Sequence, residues 1–510
     1  MKKILLLIVA LCSWHNAGAW QVRESISEAE DTLMQIEALD LPIVYIETKE
    51  NEEPTSSTIA APEGCLGSGT TDKEYVKARM TIFDKGQKVF DTGEYKKNEG
   101  GVRIRVRGNS SALITHKSFK LKFQVESDPL NRADVLYKNK DWALLNYFST
   151  CDLRTVIGFE VGKLLKMEWE PEWQFVNFVM NGKYRGLYLL CETVGVAPKR
   201  TKVCPSGFMI EADPYWWNED SDHGVFKTKR INPAMGYTFK YPKAKEDDSV
   251  VDDIEAYMNA FEDALYDGKD ISDYIDVNSF AAWILAHDIL GTLDGAGSNM
   301  FVIKDDFLEG EARFQSKLRM GPLWDLGTIF STPNEWATAH YMTFFYYEQL
   351  FKRPDFVKEY LRQWEGVREL VGPVALYFVQ KVIRDKGKEL DISRRLSPRD
   401  KGFHYRSVNE DLKETEKWFD ERIPWMDQAL TKLIEQTEIV DVQSEHAVCT
   451  LQVYQLNGLC CAQLKGEQAA RVYQHGLSAS QEFMKLPAGV YILRAIKANG
   501  SVESRKSIVK

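Results

Sequence analysis

The sequence has no C-x-x-C pair, no internal repeat, no surplus of positive charge, and no apolar run of transmembrane length free of charges. Each absence removes a class of protein. Without cysteines at metal-binding spacing, a thiolate zinc site is not expected. Without an uncharged stretch of about 20 apolar residues, no segment reads as a membrane-spanning helix. A formal net charge of −10 at pH 7 argues against a general nucleic-acid binder, although a local basic groove stays compatible with it. What remains is an ordinary globular balance, 44% hydrophobic and 27% charged. The length of 510 residues suits two to four domains.

The first residues have the parts of a secretory signal peptide in order: Met1-Lys2-Lys3, the apolar run Ile4 to Leu11, and the small residues Ala17-Gly18-Ala19. Cleavage is expected after Ala19, giving a mature chain that begins at Trp20. Cys12 follows Leu11, a bulkier neighbour than a lipoprotein box tolerates. Eight cysteines are present, and loss of Cys12 with the leader leaves an odd number, so at least one thiol is unpaired. Cys191 and Cys204 are near enough in sequence to bridge a hairpin, whereas the adjacent Cys460 and Cys461 cannot easily bond to each other.

Periodicity predicts an α+β chain. Residues 20–40 read as a short amphipathic or disordered lead, Leu41–Ile46 as a strand, and 47–70 as a loop. Val76–Phe83 is a strand. Val102–Arg107 alternates Val, Ile, Val on one face with Arg103, Arg105 and Arg107 on the other, and Ser118–Phe123 alternates Phe119, Leu121 and Phe123 with Lys120 and Lys122. A helix is expected over about 153–167, then a hairpin turning at Asn181-Gly182. A strand lies near Tyr237–Tyr241. Residues 250–290 are mostly helical, with Asp276 or Asn278 capping the last helix and His287 on its core face. A second hairpin, Met300–Lys304 with Lys317–Met320, leads into Gly321-Pro322-Leu323-Trp324-Asp325-Leu326-Gly327. Glu348 to Gln436 is helical. Residues 440–510 alternate between turns such as Asn457-Gly458 and Asn499-Gly500, which suggests a small antiparallel β-sandwich.

Three constellations carry chemistry. Asp294 and Asn299 lie five residues apart in a glycine-rich loop between a helix and a strand, the D-x4-N spacing with which protein kinases orient an acceptor hydroxyl and hold a metal. An Asp-Gly turn capped by Asn has the same sequence. Asp325 follows by one hairpin, where a kinase puts its second metal aspartate, although a turn or N-cap aspartate also fits there. The third constellation is the basic strand pair. Arg103, Arg105 and Arg107 run up to the turn Gly108-Asn109-Ser110-Ser111, whose N–H groups suit phosphate. Lys120 or Lys122 can act as the lysine that meets the nucleotide phosphates, or the row is a solvated strand face.

Together these segments resemble the CotH kinase family, the spore-coat kinase-like proteins. The resemblance is carried by Arg105-Val106-Arg107-Gly108-Asn109-Ser110-Ser111, Lys117 to Phe123, Asp141 to Phe148, Leu153-Arg154, Asn181 to Glu192, Asp294, Asn299 and Pro322-Leu323-Trp324-Asp325, in the family's order from about residue 41 to 430. It implies an atypical protein-kinase-like fold, with residues 41–200 mainly N-lobe-like and 201–435 mainly C-lobe-like. It implies transfer of the ATP γ-phosphoryl group to Ser or Thr hydroxyls of secreted or surface proteins, with Mg²⁺ or Mn²⁺. Carried over, Asp294 is the catalytic aspartate and Asn299 and Asp325 are metal ligands. Lys120 is the phosphate lysine, with Lys122 close behind and Arg107 in support. Glu160 is a partner for that lysine, and Glu192 marks either a nucleotide hinge or a structural position. Many relatives read Trp-Asp-x-Asp where this chain ends in Gly327, so one carboxylate is missing.

The C-terminal segment, Leu486-Pro487-Ala488-Gly489-Val490-Tyr491 through Lys506-Ser507-Ile508-Val509-Lys510, resembles a type IX secretion sorting domain. That implies recognition by a secretion machinery and a cell-surface or extracellular destination. An accessory Ig-like module is the plainer alternative. Two further readings compete with the active kinase: a catalytically weak pseudokinase serving as a surface binding module, and a carbohydrate-binding protein using clusters such as Tyr215-Trp216-Trp217.

Overall fold

The computed structural model describes residues 28–66, 70–114, 116–146, 152–218, 224–243, 249–306, 316–399, 404–437, 448–455, 459–477, 483, 486–497 and 501–509. The expected leader, Tyr147-Phe148 and the turns at Asn457-Gly458 and Asn499-Gly500 lie outside them. The chain divides into two units. One is built from the chain up to Tyr347 together with Val367–Glu421, the other from Glu348–Gly366 together with the chain from Arg422 onward.

The first unit starts with helix α1 (Glu28–Glu37) and strands β1 (Ile43–Thr48), β2 (Ser56–Ile59), β3 (Thr70–Lys73), β4 (Val76–Asp84), β5 (Gln87–Asp91), β6 (Val102–Arg107), β7 (Ser118–Ser127) and β8 (Asn139–Leu145). Helix α2 (Arg154–Leu164) and strands β9 (Trp173–Met180) and β10 (Lys183–Glu192) follow. The strands pair in the order β1-β9-β10-β8-β7-β6-β4-β5, and β1 also pairs with β4. That last pairing closes a β-barrel, with β5 hung outside it on β4. Closure leaves no free edge among the ring strands. The basic strand pair forms in register, Arg105 opposite Lys120 and Arg103 opposite Lys122. Val102, Ile104, Val106, Phe119, Leu121 and Phe123 are buried in the barrel core with Trp142, Phe178 and Tyr188. A one-residue slip would bring the cations into that core, so the alternation fixes the register. The β9–β10 hairpin turns at Asn181 (φ 51°) and Gly182 (φ 73°), left-handed as its twist demands. The stretch expected to be all loop between β1 and β4 contains the β2–β3 ribbon. Its short polar strands lack the alternating apolar signal that marks a strand in sequence.

The second sheet has the order β12-β13-β11-β14-β15, antiparallel throughout, from β11 (Phe208–Asp213), β12 (Val225–Phe226), β13 (Gly236–Tyr241), β14 (Met300–Lys304) and β15 (Arg319–Met320). Helices α3 (Ser249–Tyr266) and α4 (Val277–Leu290) lie between β13 and β14 in sequence. Asp276 caps α4, its Oδ1 accepting from the N–H groups of Asn278 (2.9 Å) and Ser279 (3.2 Å). Phe280 through Leu290 are all buried, so α4 is an interior helix and not an amphipathic one. Long helices α5 (Pro354–Leu396) and α6 (Val408–Thr437) follow.

In the second unit, β16 (Val448–Gln455), β17 (Cys460–Lys465), β18 (Gly489–Lys497) and β19 (Val502–Val509) make one antiparallel sheet, ordered β17-β16-β18-β19. The strands are antiparallel as expected, but the β-sandwich is not formed among the described residues. Helix α7 (Gly466–His475) covers the sheet's inner face, and Ala469 and Val472 pack with Leu451, Val453, Leu493 and Ala495. The described cysteines, Cys191 and Cys204 among them, are free thiols, so the bridge that their spacing allows is not made. Among the described residues, no helix is long and apolar enough to cross a membrane.

Candidate active site

Helix α4 stops at Gly291, which is left-handed (φ 56°), and the chain turns into the Asp294 loop. His287, at the end of α4, is a core side chain. Burial lowers its pKa to about 3, and its Nδ1 lies 3.0 Å from Thr292 Oγ1. Asp294 is held by its backbone on both sides. Its N–H donates to Thr328 Oγ1 at 3.3 Å, and its carbonyl accepts from Gly297 N–H at 3.0 Å and Ser298 Oγ at 3.4 Å. Its Oδ1 accepts from the Tyr341 hydroxyl at 3.3 Å. Gly297 rests on the Tyr341 ring. A Cβ there would lie 2.2 Å from ring carbons, so the loop takes this path only with glycine. The loop ends at Asn299, whose Nδ2 donates to Ser298 Oγ at 2.9 Å.

The β14–β15 hairpin brings the second aspartate to the same place. Val302 faces Met320, Ile303 faces Arg319, and Gly321 N–H donates to the Phe301 carbonyl at 2.7 Å. Extending that register sets Asn299 opposite Leu323, with Asp325 just beyond. Asn299 (φ 57°) and Asp325 (φ 56°) are both left-handed. Asn and Asp tolerate that region best among residues with side chains, and such conformations gather at functional sites.

Asp294 and Asp325 are both open to water, yet protein surrounds them densely, the combination that a concave site produces. Asp325 is pushed up to about 6, first by desolvation and then by the charge of Asp294, with Arg107 pulling the other way. Desolvation also raises Asp294, and the Tyr341 hydrogen bond partly offsets this. Arg107 reaches in from the end of β6, its guanidinium 5.1 Å from the centre of the Trp324 ring. The barrel therefore supplies a cation beside Asp325. Helix α2 supports Asp325 from behind. A Cβ on Gly158 would lie 2.5 Å from Leu326 Cδ1, and buried Glu170 accepts from Leu323 N–H at 3.4 Å. Burial holds the Glu170 carboxyl well above the usual carboxylate range.

The sequence matches the CotH kinase protein family over residues 104–371, just over half of the chain. The chain belongs to the CotH kinase protein family. No curated protein matches the sequence. Membership of a kinase family makes phosphotransfer the general chemistry, with ATP and divalent metal as its general requirements.

In this CotH family chain, the charges of Asp294 and Arg107 both act on Asp325, and Asn299 ends the loop that carries Asp294. Lys120 and Lys122 stand outward on β7, opposite Ala143 and Asp141 on β8. Arg107 faces Ser118, so Lys120 is about 7 Å along the strand from that end and Lys122 about 14 Å. Glu160 pairs with Lys163 at 3.0 Å. Glu192 is buried, its carboxylate taken by Arg132 (2.8 Å) and by Glu172 N–H (3.0 Å). Its side chain is therefore spent on structure, whatever its backbone does.

Among the described residues, no group of three or more His, Cys, Asp and Glu side chains is arranged to hold a metal. The donors at the site are nonetheless of the right kind. Asp325 and Asn299 offer hard oxygens, and Mg²⁺ typically takes one or two carboxylates with phosphate oxygens and water. The repulsion between Asp294 and Asp325 is the feature that a cation relieves. Sequence reasoning missed Tyr341, Tyr215, Thr328 and Glu170. Tyr215, whose phenol is raised by burial and then by the Asp294 charge, is separated from Asp294 by 79 positions and stands out in the sequence only within the Tyr215-Trp216-Trp217 cluster.

Proposed function

We propose that the chain is an exported atypical protein kinase, transferring the γ-phosphoryl group of ATP to Ser or Thr hydroxyls of secreted or surface proteins. The observation that carries this reading is the convergence of Asp294, Asn299 and Asp325 at the ends of one hairpin, with Arg107 over Trp324 beside them. Asp294 orients the acceptor hydroxyl and takes its proton as the new O–P bond forms and the bond to the β-phosphate oxygen breaks. Asn299 and Asp325 would hold Mg²⁺ or Mn²⁺, which neutralises phosphate charge when bound. Arg107 adds positive charge from the barrel, and Lys120 is the nearer of the two candidate lysines. The direct test is incubation of the purified mature protein with labelled ATP and Mg²⁺ or Mn²⁺. Transfer of label to protein supports the reading, and its complete absence refutes it.

A catalytically weak pseudokinase is the second reading. It draws on Gly327, where many relatives carry a further carboxylate, and on the small donor set. It forecasts nucleotide binding without transfer. Export rests on the N-terminal leader pattern, and recognition by a secretion machinery rests on the C-terminal segment. Intact-mass measurement of protein from the native host tests both. A mass starting at Trp20, with or without loss of the chain after about residue 440, is expected, and a full-length mass would sink export by this route.

A further inference from the structure

We propose that Tyr341 is a positioning residue for the catalytic carboxylate, its hydroxyl holding Asp294 Oδ1 so that Oδ2 is the oxygen presented to the acceptor hydroxyl. This deepens the kinase reading and rests on it. Three hydrogen bonds lock the backbone of Asp294, but among the described residues its carboxylate has a single side-chain donor, Tyr341. An aspartate carboxyl has a broad, roughly two-fold torsion about its last bond. Backbone anchoring alone therefore leaves the two oxygens free to exchange, and one fixed donor decides which of them faces the reaction. The donor is itself well placed. Tyr341 ends the short 3-10 turn Ala337–Tyr341, its ring backs onto Gly297, and it packs on Phe344 at 5.3 Å between ring centres. The loop that carries Asp294 and the ring that aims it thus form one unit.

Chemically, the hydroxyl keeps its proton throughout. The acceptor's proton passes to Oδ2 as its oxygen bonds to the γ-phosphorus and the bond to the β-phosphate oxygen breaks, releasing ADP. Tyr341 stabilises the carboxylate that must be ionised to receive the proton. Burial and the nearby Asp294 charge both push the phenol upward, which keeps it a donor across the working range. A 3.3 Å contact is long for such a bond, as expected before substrate tightens the site.

The rival explanation is that the ring merely fills space over Gly297. Tyr341→Phe and Tyr341→Ala separate the two, because phenylalanine keeps the ring and removes only the hydroxyl. For Tyr341→Phe, melting temperature and Mg·ATP affinity should match wild type, while phosphotransfer turnover falls about tenfold to a hundredfold. Combined with Asp294→Asn, the same change should add almost nothing, since both act through one carboxylate. Wild-type turnover in Tyr341→Phe, with only Tyr341→Ala impaired, would overturn the proposal and leave the kinase reading standing. A full additive loss on top of Asp294→Asn would also overturn it. A wild-type protein that transfers no phosphate would overturn both.

Discussion

Asp325 should be a residue that the protein keeps at a cost, and Asp325→Asn should therefore stabilise it. The carboxyl is raised from its ordinary 3.8 to about 6 by desolvation and by Asp294. A carboxyl whose folded pKa is raised favours folding only while protonated. Its contribution is full below the unfolded value and is lost as pH rises through about 6. At neutral pH the shift corresponds to at most about 3 kcal/mol. Asp325 is open to solvent, so screening reduces this to about 1 kcal/mol. Asparagine accepts the left-handed backbone at this position and has no charge to repel Asp294. Melting temperature without metal or nucleotide should rise by about 1–2 °C at pH 7.5 for a unit of this size. The gain should vanish by pH 4, where wild-type Asp325 is largely protonated. Mg·ATP should raise the melting temperature of wild type and leave Asp325→Asn unmoved. The decisive assay is a series of thermal melts from pH 4 to 8, with and without Mg·ATP. A variant less stable than wild type at pH 7.5, or a difference that ignores pH, would refute this reasoning and make Asp325 an ordinary turn residue.

Three other outcomes follow from the same geometry. Asp294→Asn should keep the fold and ATP affinity while phosphotransfer falls by roughly two to four orders of magnitude, read by autophosphorylation beside calorimetry. Gly158→Ala should push α2 away from Leu326, destabilising by about 1–3 kcal/mol and weakening metal-dependent nucleotide binding, with denaturant melts and calorimetry as the checks. Arg132→Met should cost about 3–5 kcal/mol in a denaturant melt, because it leaves Glu192 buried without the 2.8 Å partner, and a change under 1 kcal/mol would show that Arg200 or water suffices.

The parts of the fold that were legible in the sequence are those in which one residue type repeats at a fixed period. The Val-Arg alternation of β6 and the Phe-Lys alternation of β7 specify strands and faces, because any one-residue slip would turn cations into the core. Asn181-Gly182 specifies a hairpin because few other pairs accept two left-handed residues. Barrel closure was not legible. The β1–β4 pairing is a long-range contact that depends on the twist of the whole sheet, and β1 reads the same whether its edge is free or paired. The C-terminal unit shows the limit of alternation more sharply. Its strands were readable, but period-two patterning says only that one face is covered, not whether a second sheet or a helix such as α7 covers it.

The site divides along the same line. Asp294, Asn299 and Asp325 could be read because spacing and order carry information when a single hairpin joins them. Arg107 could be read because its alternating strand ends in a polar Gly-Asn-Ser-Ser turn, whose N–H groups suit phosphate. Tyr341, Tyr215 and Glu170 could not, since each reaches the site from a separate element and only packing brings them there. This asymmetry has a physical basis. Asp294, Asn299 and Asp325 sit on short segments joined by one hairpin, so their spacing in sequence carries their spacing in space. Groups that only aim or support them can come from anywhere the core provides a rigid surface. The loop cannot lose Gly297 while Tyr341 stays, because the ring occupies the space that any Cβ would need.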